Sequence, residues 1–279
     1  MKIAVLSGKG GTGKTLVSVN LASVFERSVY IDCDVEEPNG HLFFKPEDRV
    51  TKEILVKIPV VDYDKCIGCR ACVEFCKFNA LAFINQKVKV FDSICHSCGG
   101  CSLICPEHAI KEKDKVIGVI ESGQSNNVKV MTGRLNTGEE TGIPIIKELL
   151  NLNKWDAVST VIDCPPGSSC MVMESIKDAD YCVLIAEPTL FGSHNLSMVY
   201  ELVKLFNKPF GCVLNKCIEG ENPSEDFCAS NNIPIIGRIP FDKNLGAINS
   251  NGTIVTRVSA EYSDLFKVIL NKIEKEVSR

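Results

Sequence analysis

The sequence predicts an α/β protein, with a mostly parallel, doubly wound sheet interrupted once by a small cysteine-rich inserted domain. Three observations carry that prediction. Short β-rich apolar runs recur along the chain and end in polar or turn residues, as strands buried on both faces do. Helical stretches lie between them, and such alternation implies a parallel sheet covered on both sides. From about residue 60 to 115 the alternation stops, and the pattern becomes short, rich in cysteine and internally repeated.

The elements follow in order. KIAVLS (2–7) is a short strand that runs straight into SGKGGTGKT (7–15), and TLVSVNLASVF (15–25) then has helical periodicity. SVYIDCD (28–34) is a second strand ending in two acids. AVSTVIDCPPG (157–167), YCVLIAEPT (181–189), FGCVLNK (210–216) and PIIGRIPF (234–241) repeat the theme, with helical stretches such as 191–206 between them. In open sheets of this kind ligands gather at the carboxyl ends of the strands, where these acids and turns fall. The last stretch, 259–277, sets Leu265, Val268, Ile269, Lys272 and Ile273 at helical spacing with mixed charges, as a core-packing helix does. Residues 1–59 and 116–279 thus form one discontinuous domain around an insert spanning 60–115.

A chain of 279 residues can bury a full core, and 45% hydrophobic with 24% charged residues is ordinary globular composition. The net charge of −4 gives no sign of a nucleic-acid or anionic-membrane surface. No apolar run approaches the ~20 residues that span a bilayer. The N-terminal apolar run enters the glycine-rich loop at once and lacks a cleavage site, so it reads as a strand rather than a signal peptide. The expected location is the cytoplasm, with no membrane anchor.

Of the fifteen cysteines, eight fall between residues 66 and 105 at regular spacing. Cys66-x2-Cys69-x2-Cys72-x3-Cys76 and Cys95-x2-Cys98-x2-Cys101-x3-Cys105-Pro106 both match bacterial ferredoxin spacing, offset by 29 residues. Three close thiolates grip one face of a cubane and the fourth ligand comes from the other run. One 4Fe–4S cluster is therefore expected on Cys66, Cys69, Cys72 and Cys105, the other on Cys95, Cys98, Cys101 and Cys76. Zinc also accepts thiolates at x2 spacing, but its sites pair two C-x2-C units, whereas two complete four-cysteine runs stand here. Lys77 occupies the place where proline usually follows the first run. Eight Lys/Arg against seven Asp/Glu over 59–115 leave the charge of an electron-transfer partner open. The other seven cysteines are scattered, as small buried hydrophobes are.

From Gly8 the first loop reads G-x-x-x-x-G-K-T, a phosphate-binding loop preceded by a strand and followed by a helix. Gly8, Gly10, Gly11 and Gly13, with Thr12 among them, let backbone amides converge on phosphates at a helix N-terminus. Lys14 is expected on the β- and γ-phosphates and the Thr15 hydroxyl on Mg²⁺.

Lys9 adds a second lysine, and K-G-G-T-G-K-T resembles the deviant Walker A loop of the MinD/ParA class of P-loop NTPases. That class includes the nitrogenase iron protein and the Mrp-type iron–sulfur ATPases. The resemblance spans nearly the whole chain. It lies nearest the MinD-superfamily ATPases that carry an inserted ferredoxin domain, through DCDVEEPN, TGRLNTGE, PPGSSC and AEPT. It implies a nucleotide-sandwich homodimer in which Lys9 contacts the partner's phosphates. Asp32-Cys33-Asp34 is similar to switch I, with Asp34 orienting the attacking water, although a strand-terminal acid can also simply cap a helix. Asp163-Cys164-Pro165-Pro166-Gly167 resembles Walker B and switch II, which implies Mg²⁺ held by Asp163 and γ-phosphate sensed by the Gly167 amide. Asn215 and Pro240 match positions that line the adenine in this class. Cys170 lies seven residues after Asp163, where the nitrogenase iron protein ligates a bridging cluster. No second cysteine stands in TGRLNTGEETG, so Cys170 is either an interface ligand or a buried structural residue. The expected function is an ATP-hydrolysing iron–sulfur protein whose ATP or ADP state gates electron transfer to a redox or metallocofactor partner protein. The alternatives are a cluster- or metal-cofactor assembly ATPase of the Mrp kind and a spatial-positioning ATPase of the MinD/ParA kind.

Overall fold

A computed structural model of the chain describes residues 1–152 and 158–278. The first residue of the predicted segment 157–167 lies outside them. β1 (Lys2–Leu6) is followed by α1 (Lys14–Val24), β2 (Ser28–Asp32), the short α2 (Gly40–Phe44) and β3 (Glu47–Val61). Beyond β3 come α3 (Ala71–Phe75), the hairpin of β4 (Leu81–Ile84) and β5 (Lys87–Val90), and α4 (Gly100–Leu103). The chain returns through β6 (Ile110–Ser125) and β7 (Val128–Leu135) to α5 (Ile143–Leu152), β8 (Ser159–Asp163) and α6 (Cys170–Ile176). β9 (Tyr181–Ala186), α7 (Leu190–Leu205), β10 (Phe210–Cys217), α8 (Pro223–Ser230), β11 (Ile235–Pro240), α9 (Lys243–Ser250) and α10 (Ala260–Val277) complete it.

The main sheet runs β11-β10-β9-β1-β8-β2-β7-β6-β3. From β11 to β7 every pairing is parallel. β1 is central because it reads IAVL with every side chain buried, and the pleat sends Ala4 and Leu6 to one core, Ile3 and Val5 to the other. The first core packs under α5 to α8, the second under α1 and α10. Helix starts are fixed locally: Thr189, Asn222, Asp242 and Ser259 each accept a backbone N–H within the first turn of the helix that follows.

At the other margin β6 is antiparallel to β7, and β3 is antiparallel to β6. The 15-residue β3 and 16-residue β6 pair from Glu47 opposite Gln124 out to Val61 opposite Ile110, well past the edge of the parallel strands. This two-stranded arm was not anticipated. Its two strands carry unlike signals: β3 ends in the apolar run ILVKIPVV (54–61), with Ile54, Ile58, Pro59 and Val61 buried, whereas the part of β6 that pairs with it carries the charged run KEKDK (111–115). Residues 62–109 sit at its tip over a small separate core of Val61, Cys72, Leu81, Val88, Cys101 and Ile110.

α10 corrects one expectation. Its buried stripe is Tyr262, Phe266, Ile269, Leu270 and Ile273, whereas Val268 is 52% exposed. Phe266 and Tyr262 carry the spacing back one turn further than Leu265 and Val268 do.

Candidate functional site

The glycine-rich loop joins the end of β1 to α1, at the carboxyl edge of the parallel strands. Gly13 caps α1 with φ 100°, and a Cβ there would stand 2.1 Å from Asn215 Nδ2, so only glycine fits. The loop's carbonyls are held from the protein side. Lys9 O accepts from Ser7 Oγ (2.8 Å) and Thr12 Oγ1 (3.2 Å), Gly11 O from Lys216 Nζ (2.9 Å), and Thr12 O from Asn215 Nδ2 (2.8 Å). Because each peptide is planar, a C=O turned inward aims the next N–H outward. The cavity outside, of about 820 Å³, is lined by Lys9, Gly10, Gly11, Gly13, Lys14 and Thr15 of the loop. Asp34, Pro166, Leu42 and the turn Asn249–Gly252 close its other walls.

Lys14 is the buried charge of the site, 6% exposed, with Asp163 Oδ1 at 3.0 Å and Asp34 Oδ2 at 3.5 Å. Burial works against its ammonium, but the carboxylates of Asp163 and Asp34 outweigh it and hold Lys14 above the ordinary lysine range. The second oxygen of Asp163 accepts from the fully buried Tyr30 hydroxyl at 2.8 Å. Asp34 is raised by burial first, then by Asp163, against the pull of Lys14. Asp32 takes the capping role open to such an acid. Its carboxylate receives the backbone amides of Asp34 (3.2 Å), Asn39 (3.1 Å) and Gly40 (2.9 Å) at the start of α2. Burial and the neighbouring Asp163 push it up to about 8.

Not every predicted residue reaches the cavity. Asn215 is 2% exposed and braces the loop from beneath through Thr12, and Pro240 is an exposed residue ending β11; neither lines the cavity. The Gly167 amide donates to Ser7 O at 2.9 Å, so it ties the segment after β8 to the loop. The Lys9 ammonium turns to Glu187 Oε2 at 2.8 Å and lies 5.0 Å from the centroid of the Phe191 ring. Lys216 holds the other oxygen of Glu187, at 2.5 Å. Tyr30, Glu187 and Lys216 were missed by sequence reasoning. The available signal was AEPT, a strand ending in an acid beside the loop.

The eight regularly spaced cysteines gather in two places. Cys66, Cys69, Cys72 and Cys105 line one hollow with Val61, Val88 and Ile110. Cys76, Cys95, Cys98 and Cys101 line the other with Phe75, Phe78 and Leu81. The 29-residue repeat is visible in the backbone. Arg70 (φ 63°) and Gly99 (φ 71°) precede α3 and α4, and Asn79 (φ 55°) answers His108 (φ 47°). The amides of Ala80 and Ala109 each donate to a sulfur, Cys76 Sγ and Cys105 Sγ, both at 3.3 Å. Burial pushes the thiol of Cys101 up to about 11 and raises those of Cys72 and Cys95, the latter against the nearby Lys115 ammonium. Among the described residues no group of three or more His, Cys, Asp or Glu closes on a position for a single metal ion. Of the other cysteines, Cys33, Cys164, Cys182, Cys212 and Cys228 are buried and Cys217 is half-buried. Cys170 is exposed at the first turn of α6, so it is no buried structural residue.

A parallel sheet with a glycine-rich loop, a buried loop lysine and strand-end carboxylates around one cavity defines a P-loop nucleotide-binding protein. The chain belongs to the CobQ/CobB/MinD/ParA nucleotide binding domain family, whose profile matches residues 3–278. An uncharacterized protein of Methanocaldococcus jannaschii is 31% identical over 281 residues, which span 99% of this chain and 97% of the relative. The iron-sulfur cluster carrier protein of Pyrococcus horikoshii is 23% identical over 98% of this chain and 87% of its own length. Among solved structures, the septum site-determining protein MinD of Pyrococcus horikoshii with Mg-ADP superposes with a TM-score of 0.61. It is 17% identical over 98% of this chain and 96% of that one, a likeness of fold. Among the described residues no helix is long and apolar enough to cross a membrane.

Proposed function

We propose that the chain is a homodimeric ATPase whose nucleotide state gates electron transfer from two 4Fe–4S clusters to a partner protein. Residues 60–115 would be a ferredoxin-type insert, and residues 1–59 with 116–279 the ATPase domain. The single observation that carries this reading is the β3–β6 arm. It carries both cysteine hollows at its tip, and its inner end is hydrogen-bonded through β7 to β2, the strand that runs into Asp34. The thiols fit the clusters chemically. They divide into two sets of four, each drawing three cysteines from one run and one from the other, and each set has an apolar wall. Bound there, the clusters supply one-electron chemistry.

In the ATP site, phosphate oxygens would exchange for the carboxylates now on Lys14, which frees Asp163 to hold Mg²⁺ together with the Thr15 hydroxyl. Asp34, released from Lys14, would orient the water that attacks the γ-phosphorus as the bond to the β-phosphate oxygen breaks. Binding therefore moves the segment between Asp32 and Asn39, which is the requirement for a nucleotide switch. The test is to reconstitute the chain anaerobically and record cluster EPR spectra, midpoint potentials and partner reduction with ATP and with ADP. Indifference of all three to nucleotide would end the gating proposal.

A second reading, an ATPase that carries clusters to acceptor proteins, is favoured by the names of several relatives, iron-sulfur cluster carrier proteins, and by the exposed Cys170. Iron counting separates the two. About eight irons per chain, four for each resident cluster, supports electron transfer, and a loosely held excess lost on gel filtration supports carriage.

A further inference from the structure

The gating proposal needs a physical link between the segment after β2 and the cysteine hollows, and one lysine stands at the junction. Val35, next to Asp34, accepts the Leu135 amide at 2.8 Å where β7 ends. Gly133 of β7 and Gly142 after the following loop pack against it: a Cβ there would stand 2.7 or 2.3 Å from a Val35 methyl. The loop is pinned to β6 by Asn136, whose amide donates to Ile117 O at 2.9 Å and whose side chain donates to Val116 O at 3.3 Å. It then carries Glu139 and Glu140, which meet Lys115 and His96. Lys115 Nζ donates to Glu139 Oε2 at 2.8 Å and also to the backbone carbonyl of Asp92 at 2.9 Å. Asp92 lies three residues before Cys95. Beside it, His96 Nε2 is 3.9 Å from Glu140 Oε1, and the His96 ring stacks on Phe78 with centroids 3.8 Å apart.

Two features separate the Lys115–Glu139 contact from an ordinary surface pair. Its side chains are 20% and 15% exposed, whereas the neighbouring Lys57–Asp114 pair is more than half exposed on both sides. Lys115 also spends a second donor on a main-chain carbonyl of the cysteine-bearing segment, so the ammonium joins the Glu139 carboxylate to that backbone.

We infer that Lys115 is a positioning residue that transmits movement of the Asp34–Val35 segment, through the 136–140 loop, to the backbone that carries Cys95 and Cys98. The inference rests on the gating proposal and names the residues that would do the gating. A shift of Val35 moves the Leu135 and Asn136 peptides hydrogen-bonded beside it. The Glu139 carboxylate moves with that turn, because the Glu139 amide donates to Asn136 O. Lys115 must follow Glu139 or let go of it, and either outcome alters the support under the Asp92 carbonyl and the second cysteine set. The first set, at Cys66, Cys69, Cys72 and Cys105, has no corresponding contact to this loop among the described residues.

The experiment compares wild type, Lys115→Met, Lys115→Arg and Glu139→Gln, each the full chain reconstituted with iron and sulfide. Readouts are iron content, steady-state ATP hydrolysis, the ATP-induced change in cluster EPR, and hydrogen–deuterium exchange of residues 92–98 with and without ATP. The inference expects Lys115→Met and Glu139→Gln to hydrolyse ATP as wild type does, yet to lose most of the ATP-induced change in EPR and exchange. Lys115→Arg should keep it. If wild type responds and the two neutral variants respond equally, the inference is overturned while the gating proposal stands. If wild type itself shows no response in either readout, the gating proposal falls and the inference with it. Should the variants bind less iron, exchange of the iron-free chains still decides, because the hydrogen-bond path holds no cluster atom.

Discussion

Replacing Tyr30 by phenylalanine removes one oxygen atom from the centre of the molecule. Tyr30 is fully buried, its ring packs on Phe44 at 4.9 Å between centroids, and its hydroxyl gives Asp163 Oδ2 a hydrogen bond of 2.8 Å. Phenylalanine keeps the ring and its packing, so the perturbation is confined to the hydroxyl, whose other polar neighbour is the Ser18 side chain. Asp163 is 1% exposed, so no water replaces the lost donor, and Lys14 already occupies the other oxygen. A hydrogen bond to a buried charged acceptor contributes about 1.5–3 kcal/mol. Taking about 2 kcal/mol, and about 2–4 °C per kcal/mol for a domain near this size, the nucleotide-free protein should melt about 4–8 °C lower. Tyr181→Phe is the matched control, since the Tyr181 hydroxyl is buried without a hydrogen-bond partner among the described residues. Its removal should leave the melting point unchanged or raise it. Calorimetry of the three proteins in parallel is the assay. Equal melting of Tyr30→Phe and wild type, or an equal loss in both variants, would refute the claim that Tyr30 secures Asp163.

Three further outcomes follow from the same geometry. Because Asp32 is pushed up to about 8 in the fold and lies near 3.8 when unfolded, the folded state keeps a proton that the unfolded chain releases between those values. Stability of the nucleotide-free protein should therefore fall as pH rises from about 4 to 8, by about 1 kcal/mol per pH unit at the steepest, and Asp32→Asn should flatten that slope in urea titrations. Glu187→Gln removes the carboxylate that competes with phosphates for Lys9, so fluorescent ATP should bind several-fold more tightly at low salt, an advantage that added salt erodes. Under the crossed assignment, Cys66→Ala with Cys105→Ala should cost about four irons per chain and Cys66→Ala with Cys76→Ala about eight, whereas clusters built within each run would reverse the two results.

What the sequence reveals here is what chemistry forces to be local. A phosphate cradle needs glycines within one turn, and three of the four thiols in each hollow lie at x2 spacing within one run. Both devices therefore appear as spacing, and the structure brings the loop residues Lys9, Gly10, Gly11, Gly13, Lys14 and Thr15 together around one cavity. The strands of the parallel sheet are legible for a related reason: burial on both faces demands unbroken apolar runs such as IAVL and VLIA. The contacts that tune the site are not local. Glu187 meets Lys9 across 178 residues and Tyr30 meets Asp163 across 133, and neither residue belongs to a pattern that composition or periodicity can raise above its neighbours.

The β3–β6 arm shows a different limit, and it bears on function. Along its outer half β3 buries Ile58, Pro59 and Val61, but the partner strand reads KEKDK (111–115) with no period-2 apolar signal, so the sequence of one strand does not announce the other. What holds the ribbon is the pairing itself, from Lys52 opposite Ile120 to Val61 opposite Ile110, with one register shift between Ile54 and Leu55. Such a ribbon is stiff along its length and weakly attached sideways. Lateral attachments then decide whether the tip feels the sheet. Among the described residues, those joining the tip and the Glu139–Glu140 turn are Lys115 and His96, both polar and both at the second cysteine set. A hydrophobic seam at that place would fix the tip rigidly. Polar contacts at one hollow instead leave it coupled but movable, which is the mechanical condition that a nucleotide-dependent change in one cysteine set, and not the other, requires.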